Sequence, residues 1–459
     1  MNPRSLRFIL LILVFALVVV GSGCGGPSAA ERAANSPVTL TVWRVFDDSD
    51  TFSSLMSSYS AIHPNVSFSY RELRYDEFED ELIRAFAEGT GPDIFSVHNT
   101  WIGEYESLIS PMPDSVSIPY CETRGTIKKE TVCTIQEEPT ISQRTLKNDY
   151  VDVVAEDVIR SYRASEKDES EDRIFGLPLG VDTLALYFNR DLLNAAGIPE
   201  TPGTWEEFQE QVATLTSIGS DDEIKQSGAA MGSSHNVERS FDILSILMMQ
   251  NGTQMTDSRN RATFGGDVDG VFYGGQAVKF YTDFANPLKQ VYTWNEDMDD
   301  SFDVFVNGGT AFFFGYSYHY DLIMASNEKM NLGIAPLPQI DDGKTVNYAN
   351  YWIETVAKSS DDDEWAWDFI EFAVSEDRVD SHLSAANKPT ALRSLINDQL
   401  EDDILSIFSS QTLTSESWYR GDDAAIAEEA FLDLIDAFLA GDDQEAALKD
   451  AQNKVNQTL

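Results

Sequence analysis

Between residues 40 and 97 the apolar pattern changes period repeatedly, and that alternation limits the chain to one class of architecture. Leu40-Thr41-Val42-Trp43 is apolar and β-branched and runs into a polar cluster at 46–49, as a strand feeding a loop does. Phe52, Leu55, Met56, Tyr59 and Ile62 then recur at helical spacing until Pro64. Residues 66–70 alternate like a strand, and 75–87 return to the helical period with acidic residues in the first turns. After Gly91-Pro92-Asp93, residues 94–97 form a short apolar strand. Strands alternating with helices predict an α/β layer structure with a mostly parallel sheet. Ligands of such sheets sit off the carboxyl ends of the strands, so the loops 46–49 and 98–101 are expected to line a site.

A single core stops growing at roughly 250–300 residues, so a chain of 459 residues is expected to form two lobes. Hydrophobic residues make up 42% of it, too many for a disordered chain. Asp and Glu number 77 against 32 Lys and Arg, a net charge of −45. That surplus would repel a phosphate backbone, which excludes a nucleic-acid partner. It also disfavours docking of the folded body on anionic lipid while leaving a lipid anchor open.

The first 26 residues read as an export signal, with Arg4 and Arg7 ahead of an apolar run over 8–20. The run is short of the ~20 residues a bilayer span needs, and an uncut anchor is the alternative reading. The segment also resembles a bacterial lipoprotein signal. Gly21-Ser22-Gly23-Cys24 ends at the cysteine that would receive lipid, implying a signal peptide over 1–23 and stable tethering through Cys24. Residues 24–37 are small and polar and read as a flexible tether, with structure expected near Val38. Residues 115–148 break the rhythm and read as an insertion. They hold Cys121 and Cys133, which export would allow to pair; the alternative is two free thiols. A bridge there would be structural and worth ~3 kcal/mol.

Farther on, a helix is expected over 150–165 and a strand-like run over 180–189. Residues 191–196 should form a helix stopped by Gly197, Thr204 should cap another, and amphipathic helices over 424–440 and 444–455 should flank Gly441. Catalytic signatures are missing: the chain has no G-x-S-x-G, H-E-x-x-H or phosphate-binding glycine loop. The five His are scattered without ligand spacing, and the acidic runs 296–300 and 361–364 lack the spacing of a calcium loop. No metal and no cofactor are expected. With 77 acids, chance carboxylate pairs carry almost no signal for glycoside hydrolysis.

A more specific signal is the run 176–189 (GLPLGVDTLALYFN), followed by Arg190-Asp191-Leu192-Leu193, Ala196-Gly197-Ile198-Pro199 and Thr204-Trp205-Glu206-Glu207-Phe208. With GPDI at 91–94, WIGEY at 101–105, FVNGGTAF at 305–312, GIAPLP at 333–338 and Gly441 ahead of ALKDA at 447–451, it resembles the extracellular solute-binding proteins of family 1. These are sugar-capturing subunits of ABC importers. The resemblance covers nearly everything from Thr39 onward except the insertion.

The resemblance implies a two-lobed periplasmic-binding-protein-like α/β fold of type II, with hinged lobes joined by crossover segments near 180–182, 348–353 and 387–391. Lobe 1 would hold 38–181 with 353–386, and lobe 2 would hold 182–352 with 387–459. It also implies a monomer that captures a sugar or oligosaccharide, hands it to ABC permease subunits, carries a lipid anchor on the outer face of the cytoplasmic membrane, and needs no catalytic group. Carried over residue by residue, the ligand would meet Asp47 and Asp48; Asn99, Thr100 and Trp101; Asp182; Tyr316 and Tyr318; and Tyr351 or Trp352. His235 and Asn236 are further candidates, and Trp418-Tyr419-Arg420 forms another aromatic-basic cluster. Aromatics offer flat apolar faces to a sugar's C–H surface while polar groups take its hydroxyls. Two other functions compete: a secreted hydrolase using a carboxylate pair, and a binding subunit that feeds a sensor.

Overall fold

The computed structural model describes residues 27–459 apart from 46–48, 127–128, 166 and 341–342. The expected signal peptide, Cys24, Asp47 and Asp48 lie outside the described residues. Two separate hydrophobic cores give the molecule its two lobes. One gathers Leu40, Val42, Phe78, Phe95, Val154, Ile353 and Trp367. The other gathers Leu186, Phe208, Ile243, Phe312, Phe431 and Leu448.

The first lobe is built on a four-stranded sheet in the order Trp352–Val356, Ile94–His98, Val38–Val45, Val66–Leu73. The last three run parallel, with Val42 opposite Ile94 and Val38 opposite Val66. Trp352–Val356 joins antiparallel, Trp352 facing His98. Three carboxyl ends and one amino end therefore share an edge, which places His98–Trp101, Trp352 and the start of the helix Tyr75–Glu88 side by side.

The second lobe has five strands in the order Ser217–Ile218, Ile224–Ala229, Thr310–Gly315, Ala185–Asn189, Leu332–Ala335. Ile224–Ala229 and Thr310–Gly315 are parallel, and Ala185–Asn189 runs against them with Ala185 opposite Gly315. The segments after Ala229 and Gly315 and the one before Ala185 thus meet at one edge. A small sheet of Asp182–Thr183, Asn347–Asn350 and Ser415–Glu416 lies where the lobes join. Local signals act as the sequence reading expects: Thr204 and Glu207 close a capping box on the helix Trp205–Leu215, and Gly197 and Gly441 end their helices at φ +74° and +81°.

Four expectations need correction. The segment read as a flexible tether contains the helix Ala29–Asn35, capped reciprocally by Ser28 and Glu31 and packed on the hairpin of the insertion. That hairpin pairs Ser115–Arg124 with Glu130–Pro139; Cys121 faces Cys133 and bonds to it (S–S 2.01 Å). The helix expected over 150–165 stops as Asp152–Val158, because Ile159–Tyr162 pairs with Glu171–Ile174. Tertiary pairing of β-branched and aromatic residues overrides helical propensity there. Finally, Ala391, Leu392, Leu395 and Ile396 belong to the first core, although 387 is where the sequence reading starts the second lobe. Val151 N–H donates to Ala391 O (3.0 Å) and Arg393 donates to Tyr150 O (2.7 Å), so the last crossover comes after residue 396.

Candidate functional site

The two sheet edges face each other. The hydroxyl of Tyr75, on the first lobe, is 48% exposed as a residue and yet pushed up to about 12, chiefly by burial. The two observations agree if one ring edge is wet while the hydroxyl is walled in. Its electrostatic neighbours include Glu428, Arg239 and Asp242, all on the second lobe. Burial likewise pushes the His98 imidazole down to about 4, opposed by a hydrogen bond with Asn350 and aided by Arg239 across the gap. A cleft runs between the lobes, and these groups line it.

The first wall is aromatic. Trp101 has Tyr75 at 5.5 Å and Trp352 at 5.4 Å between ring centroids, the two indoles nearly perpendicular at 84°. His98 stands 5.4 Å from Trp352, and its Nδ1 is 2.8 Å from the Thr100 hydroxyl. A neutral His98 gives this wall no cation at neutral pH.

The second wall is polar and built by hydrogen bonds. Asp242 Oδ2 accepts from the Tyr316 hydroxyl (2.8 Å), and burial raises its carboxyl to about 6 against the opposing pull of Arg239 and Tyr316. Tyr318 is stacked on His319 at 4.1 Å, and its hydroxyl accepts from Arg239 Nη2. The Tyr316 N–H donates to His319 Nδ1 (2.9 Å), which leaves His319 Nε2 to donate to Glu238 (3.1 Å). His319 is therefore a neutral ring in a fixed tautomer, and burial, its largest influence, holds its pKa below the ordinary value. Glu238 is pushed up by burial but pulled down further by His319 and Arg239, so it stays ionised.

Of the residues singled out from sequence, the structure brings Trp101, Trp352, Thr100, Tyr316 and Tyr318 to these edges. Others are already committed to partners. Asp182 Oδ2 accepts from the Ser317 N–H (2.9 Å) and hydroxyl (2.6 Å), and Oδ1 from the Thr183 N–H (2.8 Å), so it fixes the turn that carries Tyr316 and Tyr318. Asn236 spends Nδ2 on the carbonyls of Asn295 and Met298 (both 2.9 Å) and Oδ1 on Ser233 and Trp294. It staples loops within its lobe. Asn99 Nδ2 and the Tyr351 hydroxyl both donate to Asp157 Oδ2, at 3.3 and 2.8 Å. Ser417 and Arg420 reach the other oxygen of Asp157 at 2.6 and 3.0 Å, making a buried tie between lobes. Trp418 is buried against Phe431 and Tyr419 lies in the second core. His235 is exposed and turns to Asp436 (3.4 Å), about two helical turns beyond Glu428.

Sequence reasoning missed Tyr75, His98, Glu238, Arg239, Asp242, His319 and Glu428. The strand-end rule could have found Tyr75, which follows the second strand as Trp101 follows the third. Among the described residues no group of three or more His, Cys, Asp or Glu is arranged to hold a metal ion, and no helix is long and apolar enough to cross a membrane.

Comparison with known proteins agrees with this architecture. The galactooligosaccharide-binding protein of Bacillus subtilis is 20% identical over 396 residues, covering 84% of this chain and 81% of that protein. The sugar-binding protein MalE from Xanthomonas citri superposes with a TM-score of 0.69 at 18% identity, over 92% of this chain and 97% of that one. A cyclo/maltodextrin-binding protein complexed with maltotetraose gives a TM-score of 0.70 at 16% identity with the same coverage. At such identities the structures establish the two-lobed fold. The profile of the bacterial extracellular solute-binding proteins matches residues 142–378, more than half of the sequence, and the chain belongs to that family of binding proteins.

Proposed function

We propose that this protein captures a saccharide between its lobes, the aromatic wall taking the sugar's C–H face and the polar wall its hydroxyls, and delivers it to the permease of an ABC importer while anchored by lipid at Cys24. The observation that carries the reading is the pairing of unlike walls across one cleft: Tyr75, Trp101 and Trp352 opposite Arg239, Asp242 and Tyr318. A carbohydrate has the same two characters, apolar faces and a polar rim. The sugar ligands named for the relatives support the choice of ligand class. Trp101, Trp352, Thr100 and Tyr318 are the proposed contacts among the sequence candidates; Asp47 and Asp48 join them through the loop that follows the first strand.

A thermal-shift screen over mono- and oligosaccharides tests this. A ligand at 100 times its dissociation constant stabilises a protein by ~2.7 kcal/mol, a shift easily read. A screen in which no saccharide moves the melting temperature would overturn the ligand class. For the anchor, Cys24→Ser should release the protein from membranes or leave its signal uncut; a normally cleaved, membrane-bound variant would contradict it.

A further inference from the structure

We infer that Arg239 is the specificity-determining contact of the cleft, its guanidinium gripping neighbouring hydroxyl oxygens of an uncharged saccharide while the carboxylates around it turn acidic sugars away. This rests on the saccharide reading above and says which saccharides fit.

The backbone gives the first argument. Arg239 has φ +65° and ψ 24° and caps the helix Ser240–Gln250. Five non-glycine residues among those described share positive φ, and the other four are Asp222, Asn260, Asp269 and Asn387. Asn and Asp tolerate this conformation through their short polar side chains; a long side chain gains nothing local from it. At Arg239 the conformation instead sets the direction in which the side chain leaves the loop.

The side chain gives the second. Its Cζ lies 5.6 Å from the Tyr316 ring centroid and 5.9 Å from that of Tyr318, and Nη2 donates to the Tyr318 hydroxyl. Tyr316 is fixed in turn by Asp242 and Tyr318 by its stack on His319. Arg239 Nε is buried and has no hydrogen-bond partner among the described residues. A planar fork held in place on one side, with a desolvated donor still unused, is built to meet acceptor oxygens. Tyr75 and His98 on the far wall both feel its charge, so it stands between the lobes.

Charge gives the third. Asp242, Glu238 and Glu428 all interact with Arg239. One guanidinium among three carboxylates, next to two imidazoles held neutral, leaves an electronegative pocket. A ligand carboxylate or phosphate would be repelled there, whereas hydroxyls can accept from Arg239 and donate to the acids.

Calorimetric titration with galactobiose, maltotetraose and digalacturonate separates the possibilities. The wild type should bind at least one neutral sugar and bind digalacturonate at least tenfold more weakly than galactobiose. Arg239→Gly should lose affinity for the neutral sugar by roughly tenfold or more while keeping or raising the melting temperature, since glycine favours positive φ. Arg239→Lys should also be weakened, because an ammonium lacks the fork. Glu428→Gln should narrow the gap between digalacturonate and galactobiose. Wild-type affinity in both Arg239 variants, or digalacturonate binding better than galactobiose, would overturn this inference alone. Absence of binding by all three sugars to the wild type would overturn it together with the saccharide reading.

Discussion

The two walls of the cleft are made in different ways. Trp101 and Trp352 are placed by the sheet itself: one follows the strand Ile94–His98 and the other opens its antiparallel neighbour. The opposite wall depends on a chain of side-chain bonds, from Asp182 to the Ser317 turn, from Tyr316 to Asp242, and from Arg239 to Tyr318. The first is a rigid apolar surface that any sugar face can use. The second is a preorganised polar surface whose geometry discriminates. Affinity is expected to come mainly from the aromatic wall and selectivity mainly from the polar one.

The largest effect should come from removing an aromatic. Trp101→Ala is expected to weaken saccharide binding by ~2–4 kcal/mol, as hot-spot aromatics do, with little change in ligand preference. Calorimetry over a sugar panel checks it; a uniform, wild-type affinity would remove the distinction between the walls. Next is Asn236→Ala, which strips the partners of Trp294 Nε1 and Ser233 and empties the donors that hold Asn295 and Met298. It should lower unfolding stability by ~1–3 kcal/mol, read by denaturant titration, because a buried polar group is left unpaired.

The walls should also respond to pH with opposite signs. Asp242 and Asp182 are raised from 3.8 to about 6 in the folded protein, so across that window the native state holds more protons than the unfolded one. Their contribution to stability falls as pH rises through the window. His98 is lowered from 6.5 to about 4, so there the unfolded state holds more protons and stability rises with pH. Unfolding curves measured through these windows should show Asp242→Asn removing a falling slope and His98→Gln removing a rising one. Slopes of the same sign would show that the walls do not differ as described. The smallest effect is expected at His235, exposed and paired only with Asp436. His235→Ala should leave affinity and stability within ~0.5 kcal/mol of wild type.

This asymmetry explains what could be read from the sequence. Strand and helix periodicity located Val38–Val45, Ser49–Ile62 and Tyr75–Glu88, and the strand-end rule then pointed to Trp101, because sheet topology alone puts it there. The polar wall was less legible. Tyr316 and Tyr318 were found from the family pattern, but Arg239 and Asp242 lie in and after a loop whose conformation depends on distant partners. Asn236, Asn99 and Tyr351 have the composition of ligand contacts and are instead engaged by Asn295, Met298 and Asp157. A residue type shows hydrogen-bonding capacity, whereas only the fold shows whether that capacity is already used. The tether misled for a related reason: small polar residues suit a flexible linker, yet Ser28 and Glu31 are also the two ends of a capping box.

The central claim is that one saccharide touches both walls at once. A crystal structure of the protein saturated with the tightest-binding oligosaccharide tests it most directly. The account predicts a sugar ring laid against Trp101 and Trp352 with its hydroxyls within hydrogen-bond distance of Arg239 and the Asp242 or Tyr318 side chains. A sugar held by one lobe alone, or bound outside the cleft with Arg239 untouched, would contradict it.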